Sequence, residues 1–544
     1  MSRLLLLLLF LPLLFACDPP VPAPVESPRV AATIDTATPV YGDTLIMGSI
    51  GDASNLLPVL AADSASSDIN GLVYNGLVRY DKDLQVEGEL ASSWEISDDS
   101  LEIIFHLRSG VTWHDGAPLT ADDVLFTYQT YIDPKVPTAY AENYRQIDTV
   151  EVLDSLTVRV RYRQPLAKAL ISWSVAIMPK HLLAGTDITT SPLSRAPIGT
   201  GPYRFADWVP GEKIVLEANP DYFEGKPYIA RLVYRIIPDP ATMFLELQAG
   251  GVDHMGLTPL QYERQTDSER FVKGFNKYRY PAFAYTYLGY NQNRPLFKEK
   301  AVRQALSYAI NKQEIIDGVL LGLGQEATGP FKPGSWPYNP DVKRYPYDPV
   351  KAKALLAEVG WKDSDGDGIL DRDGTPFAFT IVTNQGNEQR IKTGEIIQRR
   401  FSEIGVDVKL RVLEWASFLK EFINPGNFDA TIMGWSVPID PDGYNVWHSS
   451  KTSPGELNFI GFRNAETDAL LEKGRRSLDR AERKVYYDRF QEILAEEQPY
   501  TFLYVPDALP VVAARFRGIE PAPAGIMHNL IRWYVPEGEQ KYRR

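Results

Sequence analysis

A single cysteine, Cys17, in 544 residues excludes every internal disulfide, so a fold of this length must rest on buried apolar surface alone. The core has to be read from pattern. Apolar residues make up 44% of the chain and charged residues 23%, the balance of a globular protein, and the length suits two to four domains. The first third reads mostly as strands and turns. Residues 44–50 form one strand, and over 100–107 Leu101, Ile103, Phe105 and Leu107 alternate with more polar neighbours. Residues 157–162 and 213–217 continue the pattern, while Thr120 caps a helix whose Val124, Tyr128, Tyr131 and Ile132 share one face. From about residue 295 the spacing turns helical: Val302, Ala305, Leu306, Ala309 and Ile310 lie together, and Asp348 with Pro349 starts a helix running over Leu355, Leu356 and Val359 to Gly360. A helix ending near Ile404 and Gly405 feeds the alternating strand of Val406, Val408, Leu410 and Val412. A short helix over 415–423, a strand over 429–435, helices near 465–478 and 481–497, and a strand at 501–505 follow. A strand-rich front and an α/β back make a mixed α/β chain with a cleft between lobes.

Cys17 also closes an N-terminal leader. Behind Arg3, residues 4–15 form a continuous apolar run, too short for the roughly 20 residues that span a bilayer but right for an export signal. Leu14 and Ala16 before Cys17 resemble the lipobox at which a bacterial signal peptidase cuts and the cysteine thiol is diacylated. Residues 1–16 are therefore expected to be removed. Residues 17–42, with Pro19, Pro20, Pro22, Pro24, Pro28 and Pro39, read as a lipidated cysteine followed by a tether that reaches roughly 70 Å when extended. The net charge of −13 argues against nucleic acid as a partner, and no later segment is long and apolar enough to cross a membrane.

Several ordered segments resemble one family. Residues 105–126 (FHLRSGVTWHDGAPLTADDVLF), 199–203 (GTGPY), 219–223 (NPDYF), 247–253 (LQAGGVD) and 302–310 (VRQALSYAI) are similar to the peptide- and nickel-type solute-binding proteins of ABC importers, extracellular solute-binding protein family 5. The match runs in order from about Thr44 to Tyr504. It implies a two-lobed periplasmic-binding-protein type II (Venus flytrap) fold with an extra domain inserted in the first lobe. Carried onto this chain, the first lobe takes 43–60, 185–280 and 500–540, the inserted domain 61–184 and the second lobe 281–499, with a hinge where the chain crosses. The resemblance implies a monomeric receptor, not an enzyme, that needs no cofactor and captures a small peptide or peptide-like solute. The ligand then passes to the importer's permease and ATPase subunits. Other expectations within the fold are an oligosaccharide or metal complex as ligand, or a signalling or folding-helper role. Asp18 directly after Cys17 resembles the retention signal of Gram-negative lipoproteins, which places the anchor in the cell envelope, on the periplasmic face of the cytoplasmic membrane.

The strand over 429–435 is expected to deliver Trp435, Asp440, Tyr444, Trp447 and His448 into the cleft. In peptide-binding relatives an aspartate three residues after this tryptophan neutralises the ligand's amino terminus, and here Pro438 holds that place. A buried ammonium needs a carboxylate, so Asp440 is the expected replacement. The rings of Trp435, Tyr444, Trp447 and His448 either stack on a flat ligand or pack the lobe. Asn70, Tyr74 and Asn75 are expected to face the same cleft from the front. His114 and Asp115 read as a structural turn, and no histidine pair has the spacing of a zinc site. Ser417 with Lys420, and the Lys392 triplet, mimic pieces of penicillin-binding enzymes in reversed order, without the middle element. Asp363, Asp365, Asp367 and Asp371, with the backbone carbonyl of Ile369, have the spacing of a structural calcium loop, although Gly374 stands where its bidentate glutamate belongs. The other reading of that stretch is a solvated Asp-Gly turn.

Overall fold

The computed structural model describes residues 38–437 and 439–542. The leader, Cys17, most of the tether and Pro438 lie outside the described residues. Alternation shapes the front of the chain as expected: in the strand Glu102–Leu107 the residues Ile103, Phe105 and Leu107 are buried while their neighbours are half-buried. It pairs with Ala91–Ile96 and Thr157–Tyr162 in a four-stranded antiparallel sheet completed by Ile147–Asp154. The helix Ala121–Ile132 covers this sheet, and its Asp123 accepts the Thr120 N–H at 2.9 Å. The sheet has its own core, which includes Phe105, Trp113, Tyr131 and Trp173.

Two larger sheets carry the rest. The first has seven strands in the order Phe275–Lys277, Pro510–Ala513, His254–Gly256, Gly42–Ser49, Ile229–Ile236, Lys213–Ala218 and Tyr203–Val209. Its strands come from the beginning, middle and end of the chain. The second runs Tyr280–Pro281, Tyr500–Ala508, Ala284–Tyr290, Ala430–Ser436, Ala378–Asn384 and Asp407–Leu413, with Gly324–Glu326 also paired to Tyr500–Ala508. Within it Ala378–Asn384 lies parallel to both Asp407–Leu413 and Ala430–Ser436, as the helices between them require. The helices follow their sequence signals. Asp348 accepts the Lys351 N–H at 2.9 Å and Pro349 opens the helix Pro349–Glu358. After Glu414, the expected short helix is a single α turn, Trp415–Ser417, widening into a π-helix over Phe418–Ile423.

One strand sits elsewhere than expected. Tyr500–Ala508, assigned from residue 500 to the first lobe, is a central strand of the second sheet. The reason is burial on both faces: Tyr500 and Phe502 join one core of that lobe, Leu503 and Tyr504 the other. The chain then passes to the first sheet at Leu509. It does so beside an opposite crossing, because Tyr280 pairs with Ala508 and Pro281 with Asp507. Two adjacent strands therefore bridge the sheets.

Candidate ligand-binding cleft

The three parallel strands of the second sheet end at the same edge, at Asn384, Leu413 and, three residues further along, Ser436. In open α/β sheets ligands gather at such carboxyl ends. The turns that follow meet the loop after the first strand of the other sheet. Gly386, with φ +83°, lies so close that a Cβ there would stand 2.7 Å from the Pro238 carbonyl oxygen and 3.2 Å from Ile50. The Trp415 ring comes within 3.5 Å of where a Gly51 Cβ would be. The two lobes thus face each other across these turns. A cavity of about 270 Å3 opens between them, lined by Asp239, Thr258 and Gln261 on one side and Glu388, Gln389 and Lys392 on the other. A smaller one of about 70 Å3 lies over Tyr285, Phe331, Trp435, Val437 and Trp447.

The candidates of the 435–448 stretch divide between these walls and the core. Trp435 lines the smaller cavity, stacks on Phe459 at 5.8 Å and donates its indole N–H to the Tyr500 hydroxyl at 3.3 Å. Asp440 accepts from Arg483 Nη2 through both oxygens, each at 2.9 Å. Its charge is already paired. Tyr444 stacks on His448 at 4.1 Å and carries the Arg475 guanidinium 4.0 Å from its ring. His448 is buried, with Nδ1 2.8 Å from the Ser450 hydroxyl. Trp447 is sealed among Tyr500, Phe502 and Phe490 and reaches the small cavity with an edge. Three of the four expected rings therefore serve chiefly as packing.

The front-lobe candidates are buried. Asn75 donates to Glu89 at 2.7 Å and accepts from Thr200 at 2.9 Å, so its carboxamide is spent inside its own lobe. Burial pushes the Glu89 carboxyl up to about 7. Tyr74 is in the core, and Asn70 Oδ1 has no hydrogen-bond partner among the described residues. No hydrogen bond or ring contact joins these three to Trp435 or Asp440 among the described residues.

In the acidic loop, Asp363, Asp365 and Asp367 bring oxygens within 4.8 Å of one another. Their carboxylates already accept loop N–H groups: Asp363 takes Gly366 and Gly368, Asp365 takes Asp367, and Asp367 takes Ile369. Asp371, the fourth expected carboxylate, is turned to the Ser364 hydroxyl at 2.7 Å. The clustered carboxylates and these internal hydrogen bonds together give the loop its shape.

Several charged groups had no sequence signal. The side chain of Asp442 is buried between Lys168 at 2.5 Å and Arg475 at 2.8 Å. Arg390 reaches the end of the Ala430–Ser436 strand without a carboxylate partner among the described residues. Asp68, on the exposed side of the helix Ser64–Val73, has no hydrogen bond or ion pair among the described residues. Crowding by surrounding atoms and by Asp63 pushes its carboxyl up to about 6.

The family model for bacterial extracellular solute-binding proteins, family 5 Middle, matches residues 85–456. The chain belongs to this family. Among family 5 relatives, the oligopeptide-binding protein AppA of Bacillus subtilis is 36% identical over 523 residues, covering 94% of this chain and 95% of AppA. The structure of AppA in complex with a nonapeptide matches with a TM-score of 0.88, covering 92% of this chain and 100% of that one. NikZ of Campylobacter jejuni, solved with Ni(L-His), is 31% identical with a TM-score of 0.83, covering 90% of this chain and 99% of its own. The heme-binding protein A of Haemophilus influenzae is 31% identical over 485 residues, 83% of this chain and 85% of that protein. These are solute-binding proteins, and this family 5 chain is a binding protein, not an enzyme. Among the described residues no helix is long and apolar enough to cross a membrane.

Proposed function

We propose that this family 5 protein is a lipid-anchored receptor that closes on a peptide or peptide-like solute and delivers it to the permease of an ABC importer. The likeness to AppA over nearly the whole length, with that protein solved around a nonapeptide, carries the reading. The cleft supports it with a cavity of about 270 Å3 between the lobes and a smaller one beside Trp435 within the second lobe. Acylated Cys17 and the tether would keep the receptor in the plane of its permease, raising its effective concentration there. A second reading, the same cleft closing on a metal complex, draws on NikZ and on the pairing of both Asp440 and Asp442, which leaves neither free for a ligand ammonium. Native mass spectrometry of the protein extracted gently from membranes tests both parts. The expected species begins at acylated Cys17 and carries a peptide mass. A chain lacking acyl groups would remove the anchor, and a retained metal complex would favour the second reading.

A further inference from the structure

Among the described residues, the cavity of about 70 Å3 beside Trp435 offers a solute no free charge. Its walls are apolar: Pro330, Phe331, Pro441, Val446, Trp447 and Phe490 stand around the Trp435 ring. Asp442 is its acidic lining residue, and Lys168 and Arg475 hold that carboxylate at 2.5 Å and 2.8 Å. Asp440, two residues earlier, gives both oxygens to Arg483. Lys332, next to Phe331, makes no ion pair among the described residues; it donates to the Pro281 carbonyl at 3.2 Å and lies 4.3 Å from the Phe283 ring. The charge left over at this end is therefore positive. Nearby N–H groups are spent as well. Trp435 donates its indole to Tyr500, the Asp442 N–H goes to Asp440 at 3.1 Å, and the Val437 N–H goes to the Phe283 carbonyl at 2.8 Å.

The cavity lies within the second lobe at the edge that faces the first. Trp435 and the exposed Ser436 close the Ala430–Ser436 strand at that edge. Trp435 and Trp415 share the half-buried rim of one core, and Trp415 is the ring that approaches Gly51 of the first lobe. On its other side the cavity adjoins the strands that bridge the sheets, through Val437 on Phe283 and Lys332 on Pro281. An apolar cavity of about 150 Å3 stays dry and accepts benzene, so one of about 70 Å3 suits a branched aliphatic group and excludes an indole. An ammonium brought between these walls would give up its water with no carboxylate to replace it.

We propose that this pocket takes one short, uncharged aliphatic group of the bound solute and turns a charged amine away. This rests on the solute-binding reading above and deepens it by naming what the solute presents at Trp435. The group is either the acyl cap of a blocked amino terminus or a branched aliphatic side chain.

The test is calorimetric titration of the full chain with pentaglycine, with isovaleryl-pentaglycine, and with the pentapeptides in which leucine replaces each glycine in turn. One aliphatic form should bind about tenfold to a hundredfold more tightly than pentaglycine, and the form that wins identifies the source of the group. Its ammonium-tipped counterpart, lysine in place of that leucine or γ-aminobutyryl in place of that cap, should lose the gain. Val446→Phe fills the pocket and should bring the ratio near one. Val446→Ala enlarges it and should move the optimum from leucine to phenylalanine. Equal binding of pentaglycine and every aliphatic form to wild type, a gain kept by the ammonium-tipped form, or a ratio untouched by Val446→Phe overturns the proposal. If no peptide binds wild type, the peptide reading fails separately, and crystals soaked in isovaleramide or in isopentylammonium decide the pocket's role. The amide alone beside Trp435 sustains it, and the ammonium there, or neither molecule, overturns it.

Discussion

Two backbone groups share the imidazole of His114: Gly199 donates to Nδ1 at 3.3 Å, and Nε2 lies 3.0 Å from the Gly201 carbonyl. That pattern assigns a neutral ring with its proton on Nε2. Burial, which outweighs the Gly201 bond and Asp115, pushes the His114 pKa down to about 4 from an ordinary 6.5. The folded value lies below the unfolded one, so on acidification the unfolded chain takes up its proton first. Stability from this group is complete above pH 6.5 and drains away as the pH falls toward 4, a loss of roughly 2–3 kcal/mol. Glutamine can accept from Gly199 and donate to Gly201 without titrating. His114→Gln should therefore lie within about 1 kcal/mol of wild type at pH 7 and overtake it near pH 4. Calorimetric melting at pH 7, 5.5 and 4 checks this, and a difference that stays constant across the three would refute the linkage. The motif around His114, a structural turn in the sequence reading, is a brace in the fold.

At the scale of elements, the same brace explains why residues 199–203 form a recognisable motif. The segment lies across the carboxyl end of the helix Ser64–Val73, where Gly201 donates its N–H to the Val73 carbonyl at 2.8 Å and satisfies a helix-end acceptor. A Cβ at Gly199 would fall 1.8 Å from the Val73 oxygen, and one at Gly201 would fall 2.4 Å from the Leu72 oxygen. Backbone cannot yield as a side-chain tip can. Gly199→Ala should cost about 3 kcal/mol in urea unfolding, whereas Gly110→Ala, with open space around it, should cost mainly its backbone strain of about 1 kcal/mol. Similar losses at both sites would mean that close approach is not what Gly199 serves. Elements of this kind were legible wherever local chemistry decides them. Asp348, Pro349 and Gly360 mark the helix Pro349–Glu358, and alternation alone gives the strand Thr157–Tyr162. What sequence could not supply was partnership over distance. Asp440 looked like a free anchor because Arg483 lies on a later helix, and Tyr500–Ala508 reads as one strand in either lobe. Arg390 carried no signal because its distinction is the lack of a partner, which only the assembled fold displays.

For the whole molecule, the question is what holds the lobes in this arrangement. One answer is a chain of charges from the segment that precedes residue 184 to the second lobe. Lys168 reaches Asp442 at 2.5 Å, Arg475 reaches Asp442 at 2.8 Å, and the Arg475 carbonyl accepts the Ala167 N–H at 2.7 Å. Glu142 stands 3.7 Å from Arg475 and 3.8 Å from Lys451, with Asn445 beside Asn143 at 3.4 Å. Burial alone would push the Asp442 carboxyl up, but Lys168 and then Arg475 outweigh it and hold it well below the usual carboxylate range. A depressed value means that this contribution is present above the ordinary 3.8 and lost only as the pH falls below it. Closure driven by this group is therefore flat between pH 5 and 8. Asp442→Asn keeps the shape but leaves Lys168 without an anion and Arg475 with only the more distant Glu142, at 3.7 Å. Those two cations are rehydrated when the lobes part, so the cost falls on the closed form, at roughly 2–3 kcal/mol. A solute that binds only the closed form then loses about thirtyfold to a hundredfold in Kd, with no contact to Asp442 required. Small-angle X-ray scattering should show the ligand-free variant more open than wild type, and Asp442→Asn combined with Lys168→Met should restore part of the closure. An unchanged radius of gyration together with an unchanged Kd would show that the lobes are held by their packing and not by this charge chain.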